Sequence, residues 1–408
     1  MTSTPATPSP LLTPANFSYS PNFASLLTGL GSSLLVTTYQ AGQLVSFGTY
    51  GGELQVALEP FSVAMGIATH PRRVAIGSRG LIWMMESGGR ELAQSLSPAG
   101  KYDAALLTRS AHVSGNIHSH EMAFVGEELW VVNTLFSCLA MIQPGSSFVP
   151  QWKPKFISNC HVPGDRCHLN GLALSDGRPK YVTAMAETDA PGGWRESKAK
   201  TGVLIDVASH EVVARGFAMP HSPRVHDGRI WVLDSGRGQL VTVHPQSGTW
   251  DVVASFEGYT RGLALLGDFA FVGLSQIRET SVFGGVPIAE KRDALKCGVA
   301  VVNWRNGQHV GAFHFASGVE EIFAVDVLPG VRCPAIRGPQ PKNKDQASDE
   351  IWVTPPPIPE LDPRLQTVSQ PAEPEAIRLR TAFGASFNPE PTATAPSIES
   401  TPSPLAPG

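Results

Sequence analysis

The chain has 408 residues, a formal net charge of -4, and 16% charged against 42% hydrophobic residues. That balance excludes the basic footprint of a nucleic-acid binder or of a protein held to an acidic membrane surface, and it is too apolar for a disordered chain. No apolar run reaches the roughly 18 residues that a membrane span needs. Forty glycines suit a fold rich in tight turns.

Residues 1–16, MTSTPATPSPLLTPAN, are rich in Ser, Thr and Pro and lack both a basic and an apolar stretch. They do not read as a signal peptide, and they are expected to be disordered. With no leader and no span, the cytoplasm is the expected compartment.

Within residues 30–335 a period-2 alternation dominates, inside a domain expected to span residues 17–336. LLVTTY, QLVSFGTY and ELQVALEPF read as three strands. The clearest complete unit runs from Ser222: a strand to His226, a DG turn, a strand through IWVLDS, a GRG turn, LVTVHP, a QSG turn, and WDVVASF. Four short antiparallel strands joined by Gly-containing turns make a propeller blade. HLNGLALSDGRPKYVTAMAE with GVLIDVASHEVVARGFAM is a second such unit, and RGLALLGDFAFVGLS with CGVAVVNWRNGQHVGAFHF is a third. The three N-terminal strands lack an inner strand, which EEIFAVDVLPG supplies from the far end, closing the ring. The fold class is therefore all-β, a single six-bladed β-propeller whose last blade joins N-terminal strands to a C-terminal inner strand.

Two loops exceed hairpin length. Residues 187–202 (ETDAPGGWRESKAKTG) carry Trp194 and Arg195, and residues 275–297 carry Arg278 and Phe283. Loops of this length in a compact domain are usually lids or binding loops. By strand direction both should overhang the end of the channel where the inner strands begin. From residue 337 to 408 the chain turns Pro-rich, with GPQPKNKDQ, TPPPIPELDP and PEPTATAPSIESTPSPLAPG, and is expected to be mostly disordered. Five cysteines without a CxxC pair make neither a disulfide framework nor a zinc ribbon, and they read as buried thiols.

Six inner-strand segments stack without gaps. At one column they read Val63, His120, His168, His221, Tyr259 and Glu320. The first strand of every propeller blade lines the central channel, so these residues should meet as a ring. His118, two residues before His120, is an alternative on the same face. Asn170 and Arg261 should form a second polar layer two residues deeper, while Glu121 and Glu321 are out of phase by one residue.

RCHLNGLAL, ETDAPGGWRESKA, MPHSPRVHDGRIWVLDSGRG, GYTRGLAL, GLSQIRETSVFGG and GVEEIFAVDVLPG resemble strings of an uncharacterised bacterial family of conserved hypothetical proteins, carried as a domain of unknown function. More distantly, the architecture is similar to the six-bladed propellers of the gluconolactonase and strictosidine-synthase type. That likeness implies a metal-using hydrolase, lyase or condensing enzyme with a calcium site of Glu, Asn and Asp. This chain departs from the pattern by placing histidines at the strand entrances.

Neutral imidazole suits Zn, Fe or Cu and is a poor ligand for Ca or Mg. Three histidines from adjacent blades would leave positions open for water or substrate. The expected function is thus a metal-dependent enzyme, of hydrolase, lyase or oxygenase class, acting on a small anionic molecule. In that expectation one divalent transition metal sits on His120, His168 and His221, and Glu320 and Tyr259 are catalytic. Trp194, Arg195, Arg261, Arg278 and Asn170 bind substrate. The alternative is a non-catalytic scaffold with a structural histidine ring, for which the fold is equally apt.

Overall fold

The period-2 pattern folds as six sheets, antiparallel but for one added edge strand, in the computed structural model, which describes residues 15–277 and 284–339. After β1 (Asn16–Tyr19) and α1 (Pro21–Leu30) come β2 (Ser32–Thr38), β3 (Gln43–Tyr50) and β4 (Glu53–Pro60). Blade 1 holds β5 (Ile67–His70), β6 (Arg73–Gly77), β7 (Leu81–Ser87) and β8 (Ala104–Val113), with α2 (Arg90–Ser95) between the last two. Blade 2 is β9 (Ser119–Val125), β10 (Glu128–Asn133), β11 (Cys138–Ile142) and β12 (Val149–Trp152). Blade 3 is β13 (Leu169–Ser175), β14 (Arg178–Ala184), β15 (Gly202–Asp206) and β16 (Val212–Phe217). Blade 4 is β17 (Pro220–His226), β18 (Arg229–Asp234), β19 (Gln239–His244) and β20 (Thr249–Ser255). Blade 5 is β21 (Tyr259–Leu266), β22 (Phe269–Ser275), β23 (Cys297–Asn303) and β24 (Gln308–Ser317). The chain then adds β25 (Ala324–Pro329) and β26 (Pro334–Arg337).

Local chemistry sets the hairpins. Between β17 and β18 stand only Asp227 and Gly228, at φ 51° and 69°, and between β13 and β14 only Asp176 and Gly177, at 52° and 70°. Two positive φ values in a two-residue loop are the type I′ geometry whose twist matches that of the strands, and Asp-Gly adopts it readily.

Blade 6 has the order β25-β2-β3-β4, with β25 antiparallel to β2 from Ser32↔Pro329 to Thr37↔Ala324. The ring therefore closes within one sheet, as the missing inner strand predicted, and the fold is a six-bladed β-propeller. Two further strands have no counterpart in the predicted layout. β1 adds to the outer edge of blade 5 through β24, and β26 runs parallel to β8 on the outer edge of blade 1. Asn16 thus belongs to a strand and Arg337 to another, one residue beyond each predicted boundary; Phe17 stacks near Phe313, and Thr108 Oγ1 donates to the Arg337 carbonyl. The rest of the two Pro-rich segments lies outside the described residues. Among the described residues no helix is long and apolar enough to cross a membrane.

Apolar side chains fill the spaces between neighbouring blades. The densest of these seams joins blades 5 and 6 under α1, where Phe313 is fully buried against Phe17, Phe23, Phe47 and Phe315 at ring distances of 5.0, 6.0, 4.6 and 5.0 Å. Phe313→Ala is expected to cost about 3–5 kcal/mol. A urea titration checks this: the midpoint should fall while the slope stays unchanged. The five cysteines are buried free thiols.

Candidate functional site

Four residues at the channel mouth hold a left-handed backbone: Val63 (φ 54°), His118 (53°), His168 (50°) and Met219 (51°). The carbonyls just before the last three, on Ile117, Cys167 and Ala218, accept from Leu135, Met185 and Gly236, each near the end of the second strand of the same blade. His118, His168 and Met219 therefore occupy one station. His120 and His221 lie two residues deeper, and they share a second pattern: each Nδ1 meets the carbonyl of the left-handed residue and a hydroxyl just past the second strand.

The predicted single column accordingly splits into two tiers. The upper tier holds His118, His168, Met219 and Tyr259, the lower one His120, Asn170, His221 and Arg261. The ladder slips at the matching point of each inner strand, between Asn133 and Val131 in blade 2, Leu169 and Gly171 in blade 3, His221 and Arg224 in blade 4, and Thr260 and Leu263 in blade 5, so the four strands keep one register in which His120 and His221 stand two residues past His168 and Tyr259. Blade 6 enters through residues 319–323, which make no strand ladder. There Glu321 faces Arg261 at 3.8 Å, and Phe323 lies under the guanidinium, 3.4 Å from its carbon. Glu320, the predicted column member, is exposed, and its carbonyl accepts from Gln276. The carboxylate at Arg261 is thus displaced by one residue from the expected one.

The ring nitrogens are assigned by their partners. His120 Nδ1 lies 3.1 Å from the His118 carbonyl and 2.8 Å from Thr134 Oγ1, which itself donates to the Leu169 carbonyl at 2.6 Å. His221 Nδ1 lies 3.0 Å from the Met219 carbonyl and 3.0 Å from Ser235 Oγ. His168 Nδ1 is held by both oxygens of Asp165, at 2.9 and 3.0 Å. A carbonyl or carboxylate only accepts, so all three imidazoles carry a proton on Nδ1, and Nε2 is the nitrogen that each has left to offer. Among the described residues no protein group hydrogen-bonds to any of these three Nε2 atoms.

Burial holds the imidazoles of His120 and His221 well below the ordinary histidine range, with Arg261 and His168 adding to the effect. They are neutral at pH 7. The His120 and His168 rings are 4.8 Å apart, edge to face, and His120 lies 5.2 Å from Phe323. Burial pushes the Tyr259 phenol up, so it stays protonated, and its hydroxyl lies 3.4 Å from His221 Nδ1. Among the described residues no three His, Cys, Asp or Glu side chains stand close enough together to hold a metal ion as they are.

Trp194 is buried, covers His168 at a ring distance of 4.2 Å, and donates from Nε1 to Asp165 Oδ2 at 3.2 Å. It is a wall of the site and a support for Asp165, with no open face toward a substrate. Arg195 stacks on the Trp194 ring, half exposed, 3.9 Å from Asp165. Ile277, Val286, Ile288 and Leu295 of the second long loop meet Trp194, Met219 and Tyr259 in one apolar cluster, so both loops cover the same mouth. Arg278 lies outside the described residues. Beneath the lower tier, Glu121 bonds to the Leu172 amide at 2.7 Å and to Arg224 at 2.5 Å, tying three blades together.

A family model spans nearly the whole propeller, matching residues 21–337. The chain belongs to the family described as Domain of unknown function (DUF4915). Solved structures similar to this DUF4915 chain include a nidogen/laminin complex (TM-score 0.49, 10% identity, 73% of this chain and 98% of that one). Another is a protein of unknown function from Bacteroides caccae (TM-score 0.44, 11% identity, the same 73% and 98% coverage). No curated protein matches.

Sequence reasoning missed three site residues of the DUF4915 domain, Asp165, Thr134 and Ser235, and set Glu321 aside as out of phase. Two of them carried a signal. Thr134 follows Asn133 and Ser235 follows Asp234, a repeated amide-or-acid then hydroxyl pair closing the second strand. In blade 3 the lower-tier residue is Asn170, held by Thr183 Oγ1, and the upper-tier His168 is held instead by Asp165, three residues before it.

Proposed function

We propose that this chain is a metal-dependent enzyme acting on a small anionic molecule at the mouth of the propeller. One observation carries the reading: three imidazoles from adjacent blades each have Nδ1 fixed by an acceptor and, among the described residues, Nε2 left without a protein partner. A carbonyl or carboxylate on one ring nitrogen is the usual support of a metal-ligating histidine, because it sets the tautomer and raises the basicity of the other nitrogen. His120, His168 and His221 would hold the ion once their rings draw together, a rotamer-scale adjustment of the kind that commonly accompanies binding. A transition metal there would supply Lewis acidity. Tyr259 keeps its proton and can donate to an oxygen of the substrate, while Glu321 sits beside the cation that would hold the anion. Hydrolysis, elimination and oxygen chemistry all start from such a centre.

Elemental analysis of tag-free protein purified without chelator tests the metal. About one Zn, Fe or Cu per chain is expected, and alanine at His120, His168 or His221 should lower it far more than alanine at the surface residues His226 or His244. Protein that stays metal-free after incubation with each of the three ions in turn would sink the reading.

The spacing of the rings favours a second reading, since no three candidate ligands converge as they stand. In it, the three Nε2 atoms accept hydrogen bonds from a bound molecule without metal or turnover. Calorimetry on chelator-treated protein separates the two, because only this second reading keeps full affinity.

A further inference from the structure

Arg261 is an expensive residue to keep on the axis. It is 8% exposed, and its Nη2 is buried with no hydrogen-bond partner. Phe323 closes one face of its guanidinium plane, and Glu321 stands at 3.8 Å from Nη1, too far for a hydrogen bond. Buried guanidinium nitrogens are ordinarily satisfied, so an orphan on this fork needs an acceptor that the protein does not supply. A second orphan lies in the same tier. Asn170 is 3% exposed, its Oδ1 accepts from Thr183 Oγ1 at 2.7 Å, and its Nδ2 is buried without a partner. Asn170 and Arg261 belong to blades 3 and 5, on either side of His221 in blade 4.

We infer that the lower tier is the seat of a monocarboxylate, whose oxygens accept from Arg261 Nη2 and Asn170 Nδ2 across His221. The inference rests on the proposed anionic substrate and names its class. Charge decides between carboxylate and phosphate. One guanidinium already balanced in part by Glu321 can neutralise a single negative charge, whereas a phosphate dianion would bring a second charge with no second cation among the described residues of the lower tier to meet it. Arg195 is half exposed, stacked on Trp194 and close to Asp165, so it belongs to the rim. The anion is therefore anchored deep in the channel, with the rest of the molecule directed up past His120 and His168 toward the loops.

Calorimetric titration of the purified full chain with acetate, pyruvate, benzoate and inorganic phosphate, at fixed pH and ionic strength, tests this. At least one carboxylate should bind and phosphate should not. Arg261→Lys keeps the charge but loses the planar fork, and Asn170→Asp keeps the shape but opposes the anion. Each should weaken the carboxylate by roughly tenfold or more, with His226→Ala without effect. Two variants of different chemistry guard against misfolding of either, and melting curves report the fold. Phosphate binding more tightly than every carboxylate, no carboxylate bound by the wild type, or a larger loss in Arg195→Ala than in Arg261→Lys would each overturn the assignment. Running the same titrations with and without chelator keeps the two proposals apart. Carboxylate binding that survives metal removal leaves the anchor standing while the metal fails, and stoichiometric metal without carboxylate binding does the reverse.

Discussion

Asp165→Ala is expected to weaken transition-metal binding by roughly ten- to a hundredfold, while Thr134→Ala and Ser235→Ala change it only a few fold. The asymmetry follows from what each imidazole keeps. Without Thr134, His120 Nδ1 still has the His118 carbonyl, and without Ser235, His221 Nδ1 still has the Met219 carbonyl. Asp165 supplies both contacts to His168 Nδ1, and it also receives Trp194 Nε1, so its removal frees the ring and the wall behind it together. Asp165→Asn should recover part of the loss, because an amide oxygen can accept from Nδ1 although it lacks the charge. Competition against a chromophoric chelator measures the series. Equal affinities in Asp165→Ala and Ser235→Ala would show that the carboxylate does not position His168 for a metal.

A chain ending at Ser317 is expected to lose its cooperative thermal transition altogether. That truncation removes β25, and with it the inner partner of β2 along six residue pairs. It exposes the inner edge of blade 6 and uncovers Val36, Phe47 and Val299, which share a core with Val325 and Val327. Arg261 would also lose Glu321 and Phe323, leaving a bare guanidinium in the channel. The net stability of a domain is only about 5–15 kcal/mol, less than a blade's worth of burial contributes. Circular dichroism against temperature decides it. A sharp transition within a few degrees of the full chain would mean that five blades and three loose strands suffice.

The blades were legible because their code is local. Alternating apolar residues and Asp-Gly loops specify hairpins within ten or so residues, and the absence of an inner strand before Met65 could be matched to a surplus strand at the other end. Which residues line the channel was also legible, since His120, His168, His221, Tyr259 and Arg261 all do so. Their depth was not. Period-2 alternation fixes the face of a strand but not its register along the channel, because a shift of two residues keeps every side chain on the same face; His120 and His221 therefore stood in one column with His168 and Tyr259 although they lie two residues deeper. Glu321 took the place expected for Glu320 for a different reason: residues 319–323 carry no ladder to fix their phase. Asp165 escaped because it stands in the lead-in before the inner strand, with a left-handed backbone of φ 45°, where alternation assigns no face.

His118 and His168 adopt φ of 53° and 50°, a region that side chains with a Cβ enter at a cost and glycine enters freely. Selection for folding alone would place glycine at this station, as the chain does at many of its turns. Keeping a bulky imidazole there twice, on neighbouring blades, means that the mouth is maintained against the preference of its own backbone. Val63 and Met219 hold the same backbone, so the cost belongs to the mouth as a whole, and a library screened for thermal resistance should accept glycine at all four positions.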